Sequence, residues 1–154
     1  MAKVELGNAR HPEQLQKMEE LARTGQCHFC REGFESRHAA PIIRETDNWF
    51  VTANNYPYSG TIHHYLIVPK VHMTRTQELS DQSRIELFDV HTWLEEHLDI
   101  TGSSLLVRSG DMRLTCATLD HLHFHLIVGV KKVGNEPNKL EDLILAPVGY
   151  KKKE

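Results

Sequence analysis

At 154 residues, with 40% hydrophobic and 25% charged residues, the chain has the length of one domain that buries roughly 70% of its unfolded surface. That composition excludes disorder, collagen-like repeats and disulfide-stapled miniproteins. A formal charge of -3 supplies no broad positive field, so nucleic acid is not an expected partner.

The start, Met1 to Gly7, has no apolar stretch of the secretory kind, and no run approaches the roughly 20 apolar residues of a membrane span; the chain reads as cytoplasmic, with no membrane partner. Residues 12–23 carry Leu15, Met18, Leu21 and Ala22 at three-to-four spacing behind Pro12 and ahead of Gly25, which predicts a short amphipathic helix. A Cys27-His28-Phe29-Cys30 knuckle follows. The polar stretch from there to Pro41 has no period and reads as loop or edge structure. Trp49, Phe50 and Val51 mark a strand over 48–52, closed by the turn-rich Asn54 to Gly60, and a second strand runs from His63 to Val68 and stops at Pro69. The longest helical pattern begins at Ser80 or Ser83, lines one face with Leu87, Val90, Leu94 and Leu98, and offers a capping box from Ser83 and Glu86. Residues 103–108 and 122–130 read as two more strands, and beyond Gly134 the chain loosens into a frayed lysine-rich tail. Strand pairs separated by one long helix predict a single α+β domain with a largely antiparallel sheet.

Two features exceed what packing requires. The first is Cys27-x-x-Cys30, which inside a cell divides between a metal site, a redox dithiol and coincidence; Cys116 is left over and is expected to be buried. The second is the count of 11 histidines. In His121-Leu122-His123-Phe124-His125-Leu126 the imidazoles alternate with large apolar residues, so a strand here turns three histidines to one face and packs the apolar set on the core. Backbone spacing sets neighbouring histidines about 7 Å apart and the outer two about 13 Å apart, which suits separate tasks better than three ligands on one metal. A histidine-rich polar face and a metal-only row stay open as readings of the pattern.

The run His121 through Ile127 resembles the signature of the histidine triad superfamily. Residues 60–72 are similar to that family's glycine-histidine, strand and Pro-Lys-x-His segment: they contain His64-Tyr65-Leu66-Ile67-Val68-Pro69-Lys70-Val71-His72. The resemblance implies a mainly antiparallel five-stranded sheet with one long and one or more short helices. It places a motif-bearing core at about 27–130 of one domain spanning 1–154, with the first helix and the tail peripheral. By resemblance, Cys27, Cys30, His72 and His121 bind a structural zinc, while His28 is exposed and takes no part. His123 is the nucleophile that becomes transiently nucleotidylated, His125 and His64 donate to phosphate oxygens, and Thr118 stands where a hydroxyl assists the leaving group. His64 faces the site and His63 the opposite side. Asn54 falls near the ribose-binding position.

Departures are visible as well. Cys116-Ala117-Thr118 lacks the Gly-Gln of many hydrolase members, and Arg108 stands where an asparagine is usual, either as a phosphate clamp or as part of a surface salt bridge. The resemblance implies hydrolysis or nucleotidyl transfer at the α-phosphorus of a purine nucleoside phosphoramidate or similar conjugate, in a homodimer. The alternatives are aprataxin-like removal of adenylate from nucleic acid ends, dinucleoside polyphosphate hydrolysis, and a non-catalytic nucleotide-binding protein.

Overall fold

The computed structural model describes residues 3–153, apart from the side chain of Arg37. Helix α1 spans Pro12–Thr24, and its end is set by Gly25, whose φ of 69° places it in the left-handed region while its N–H donates to the Leu21 carbonyl. The stretch expected to be loop or edge structure instead contains helix α2, Arg31–Arg37, and strand β1, Ile42–Glu45. Helix α2 is short and lacks an apolar stripe in the sequence; it is held by Phe34, which packs 4.7 Å from the Phe50 ring. Its Gly33 permits a close approach, because a Cβ there would lie 2.0 Å from the Cys27 carbonyl oxygen.

Strands β2, Trp49–Ala53, and β3, His63–Pro69, follow, and then helix α3, Asp81–His97. Strand β4, Ser104–Arg108, the short helix α4, Met112–Thr115, and strand β5, His123–Val128, complete the domain. The five strands form one antiparallel sheet in the order β1-β2-β3-β5-β4. The expected capping box at α3 is not formed. Ser80 caps the helix by accepting from the Ser83 N–H, and Glu86 turns away to accept from the Asp47 N–H at 3.1 Å and the Asn48 amide at 2.6 Å. The carboxylate therefore pins the β1–β2 turn to α3 and leaves the helix N-terminus to a serine.

The sheet separates two apolar layers. On one face, Phe124, Leu126 and Val128 of β5 join Trp49, Val51 and Ile67 beneath Leu87, Val90 and Leu94 of α3. On the other, Phe50, Leu66 and Val68 meet Leu21 of α1, Phe34 of α2 and the knuckle residues Cys27 and Phe29. Strand alternation assigns His64 of β3 and His123 and His125 of β5 to this second face, and His63 to the first. Cys116, expected to be buried, is half-buried in a left-handed conformation (φ 56°) just after α4. No helix among the described residues is long and apolar enough to cross a membrane.

Candidate active site and metal cluster

Cys27 and Cys30 lie on the knuckle between α1 and α2, His72 in the turn after β3, and His121 two residues ahead of β5. His121 therefore does not extend the strand, and its ring leaves the row for the cysteines. The four ligand atoms all lie within 4.8 Å of one another. Cys27 Sγ is 3.3 Å and Cys30 Sγ 3.7 Å from His121 Nδ1, and Cys30 Sγ is 3.5 Å from His72 Nδ1. A tetrahedral ion at about 2.3 Å from sulfur and about 2.0–2.1 Å from nitrogen spaces its ligand atoms roughly 3.3–3.8 Å apart, so these residues fit zinc. His121 Nε2 donates to the Pro69 carbonyl at 2.9 Å, which directs the Nδ1 lone pair at the thiols. Asp120 places Oδ1 4.0 Å from His72 Nε2 and can orient that ring in the same way. Burial, followed by the neighbouring Cys27, pushes the Cys30 thiol up to about 12; a divalent cation would supply the charge that ionising this thiol needs.

The second group of histidines is built by register. His125 lies directly opposite Leu66 on β3 and Leu106 on β4, so His64 and Arg108 are its diagonal neighbours on the same face. The rings of His123 and His125 are 4.8 Å apart and those of His64 and His125 5.2 Å apart, closer than backbone spacing alone allows because they lean together. The Tyr58 N–H donates to His64 Nδ1 at 3.0 Å, which assigns the His64 proton to Nε2, 2.9 Å from His125 Nδ1. The His125 proton then sits on Nε2, where Arg108 Nη1 stands 3.0 Å away. Two donors face each other at that contact, and an anionic oxygen satisfies both.

His123 Nδ1 donates to the His121 carbonyl at 2.8 Å, leaving an unprotonated Nε2. Burial, with Arg108 as a second cause, lowers His123 to about 4. Burial followed by Arg10 and Arg108 lowers His64 to about 4 as well, and His125 falls well below its ordinary value through burial and then its neighbour His123. All three imidazoles are therefore neutral near pH 7, the state in which an imidazole carries a nucleophilic nitrogen and can donate its N–H without charge.

His123 borders two clefts. The larger, about 670 Å³, is walled by Met18, Phe29, Leu66 and Leu119, with Asn54 and Tyr56 at its polar side. The smaller, about 270 Å³, contains Arg10, Tyr58, Arg108 and Pro147. Thr118 lines both. Asn54 also lines the larger cleft, with its amide 3.0 Å from His64 Nε2. His63 lies outside both clefts and packs 6.3 Å from Tyr65. His28, expected to be exposed, is half-buried at the wall of the larger cleft and outside the metal cluster.

Arg108 is not part of a surface salt bridge. It is 7% exposed, and its guanidinium donates to the Thr115 carbonyl, the Tyr58 hydroxyl and the Pro147 carbonyl. Sequence reasoning missed Tyr58 and Arg10, whose guanidinium stacks 4.6 Å from the Tyr58 ring. Their only sequence signal is the turn before Gly60 for the one and a place just ahead of α1 for the other.

The structure resembles solved proteins at the level of fold. A HIT family hydrolase from Clostridium thermocellum is 26% identical, with 72% of this chain and 96% of that chain covered and a TM-score of 0.54. A histidine triad nucleotide-binding protein from Candida albicans is 22% identical (73% and 87% covered, TM-score 0.55), and a zinc-bound histidine triad family protein from Mycobacterium smegmatis 19% identical (77% and 88%, TM-score 0.54). Among curated proteins none matches the chain. The HIT domain itself matches residues 36–132, which hold β1 through β5, His64, His72, Arg108 and all three histidines of the triad, and on that match the chain belongs to the HIT domain family.

Proposed function

We propose that this protein is a nucleotide hydrolase or nucleotidyl transferase that acts at the α-phosphorus of a nucleoside phosphoramidate or similar nucleotidyl conjugate. The observation that carries the reading is His123: its Nδ1 proton is held by the His121 carbonyl, its Nε2 is free and neutral, and it borders a cleft with one apolar wall and one polar side. His123 Nε2 attacks phosphorus, the leaving group departs with the bonding electrons, and water then releases the nucleotide from the histidine. His64 and His125 donate to the non-bridging oxygens as charge builds on them. Thr118 assists the leaving group, Arg108 binds phosphate, and Asn54 holds the nucleotide at the polar side of the larger cleft. The hydrolase and nucleotide-binding protein among the solved neighbours support this class of chemistry.

Cys27, Cys30, His72 and His121 would hold a zinc ion, whose role is to clamp the knuckle to β3 and β5 while the chain's own histidines do the chemistry. The Zn-bound mycobacterial neighbour supports this assignment. The test of function is turnover of adenosine phosphoramidate to AMP. His123→Ala is expected to lose at least about 1000-fold, as removal of a covalent nucleophile does. Tight nucleotide binding with no product from either protein marks a binding protein instead and overturns the reading.

A further inference from the structure

We propose that the larger cleft selects a 6-oxopurine nucleoside, guanosine or inosine, over adenosine, and that Gln14, Lys17 and Asn55 determine the choice. The inference rests on the larger cleft being the place of the nucleoside beside His123, and it narrows the substrate class within that reading.

Met18, Phe29, Leu66 and Leu119 offer an apolar wall to the face of a flat ring and do not distinguish one purine from another. Discrimination falls to the polar atoms that meet the ring's edges, and the backbone fixes the polarity of two of them. The first lies on α1. The Arg10 backbone N–H donates to Gln14 Oε1 at 2.9 Å, so the carboxamide is held with its Nε2 hydrogens unused. Gln14 is 8% exposed and lines the cleft, so those hydrogens are met by whatever fills it. Lys17, next along this face of α1, lines the same cleft with Nζ 5.5 Å from the centre of the Tyr56 ring. It forms no ion pair with a carboxylate among the described residues. This wall donates.

The second lies on the turn after β2. His38 Nε2 donates to the Ala53 carbonyl at 3.0 Å. Burial, opposed by that bond and aided by the charge of Lys17, holds His38 below its ordinary value, so the ring is neutral near pH 7 and its Nδ1 is an acceptor. Asn55 turns Nδ2 to that nitrogen at 3.3 Å, which leaves Asn55 Oδ1 as a free acceptor at the cleft. The carbonyl of residue 53 thus sets the polarity of the side chain at 55 through a buried imidazole that the phosphorus chemistry does not use. No carboxylate lines the cleft among the described residues.

These groups match one kind of purine. Guanine and hypoxanthine carry O6 and N7 as neighbouring acceptors, whereas adenine replaces O6 by an amino donor. Against Gln14 Nε2 and Lys17 Nζ the oxo group is paired, and the amino group meets donor with donor. The ring position next to O6, N1, carries a hydrogen in the 6-oxopurines and a lone pair in adenine. Asn55 Oδ1, beside Tyr56 and hence beside Lys17, accepts from the first and repels the second. A site whose polar atoms stay unpaired with the wrong ligand rejects that ligand.

The experiment measures kcat/KM for guanosine, inosine and adenosine phosphoramidates that share one amine, in the wild-type protein and in Gln14→Glu, Lys17→Met, Asn55→Ala and His38→Phe. The ratio between bases is internal to each protein, so a variant that is partly unfolded still reports it. The wild type is expected to favour a 6-oxopurine by about 10-fold or more, and the faster of the two identifies the base. Gln14→Glu keeps an oxygen for the Arg10 N–H and exchanges the free donor for an acceptor, so the ratio falls by at least about 10-fold. Lys17→Met and Asn55→Ala each lower it by about 5-fold, and His38→Phe, which frees Asn55 to turn, by a smaller factor. A wild-type ratio near one or in favour of adenosine overturns the inference, as does a ratio that Gln14→Glu and Asn55→Ala leave unchanged. In each of those cases His123 still acquires nucleotide and the broader function stands. If no phosphoramidate is turned over and His123 never acquires nucleotide, the broader reading fails, and dissociation constants for GMP, IMP and AMP decide the base preference by the same ratios.

Discussion

His125 has His64 diagonal to it on β3 and Arg108 diagonal to it on β4, and this arrangement brings two imidazoles and a guanidinium together below the solvent. The consequence is electrostatic. His64, from an ordinary value of 6.5, falls to about 4 under burial and then the charges of Arg10 and Arg108, with His123 adding to them. Its native pKa lies below its unfolded one, so the unfolded chain binds more protons between those values. Stability is therefore full above about pH 6.5 and is lost as the pH falls towards about 4. The groups facing His64 are Arg10, Tyr58, Arg108, His123 and His125, none of them an anion near neutrality that could offset its charging. Urea midpoints at pH 7 and pH 5 check this. The wild type should lose more stability over that interval than His64→Gln, and equal losses contradict the assignment. The shared face of His123 and His125 was legible because strand geometry is local, whereas His121, ahead of β5, leaves that row for the cysteines. The position of Arg108 was legible only as a departure from pattern, since its burial depends on Tyr58 and Pro147, 50 and 39 residues away.

The elements separate by whether their signal lies in one stretch of chain. Helices α1 and α3 and strands β2 to β5 follow apolar periodicity and stop at Gly25, Pro69 and similar punctuation. Strand β1 escapes because four half-buried or exposed residues at a sheet edge have no alternation to read. Helix α2 escapes because it depends on Phe34 docking at Phe50 and on the glycine at 33. Glu86 looked like a helix-capping residue and serves a turn 38 residues earlier, a choice that only the packed structure makes. The knuckle, the turn after β3 and the approach to β5 share one cluster of four potential ligands, so a metal held there would act at the scale of elements. The purified protein should contain about one equivalent of zinc per chain, and Cys27→Ser or chelation should speed hydrogen exchange across residues 26–34. Zinc below about half an equivalent, unchanged by added zinc during expression, counts against the assignment.

At the scale of the whole molecule the sheet divides labour. The α3 face carries the larger apolar core, and the opposite face carries the metal cluster, the histidines and both clefts. The HIT domain match covers 36–132, yet Arg10 and Pro147 of the smaller cleft and Cys27 and Cys30 of the metal cluster lie outside it. The tail, which reads as frayed from its sequence, returns to the domain: Pro147 accepts from Arg108, and the Tyr150 hydroxyl bonds Asn8. The family match thus covers the triad and the sheet that carries it, and segments before and after the match supply part of the surrounding walls. That division is why the triad could be read from the sequence and the smaller cleft could not. The most direct measurement is intact and peptide mass spectrometry after a rapid quench that avoids acid, with the protein mixed with a panel of nucleotide conjugates. The account predicts one added nucleoside monophosphate on His123, formed and lost at rates that match turnover. Turnover without that adduct, or an adduct on a different residue, contradicts it.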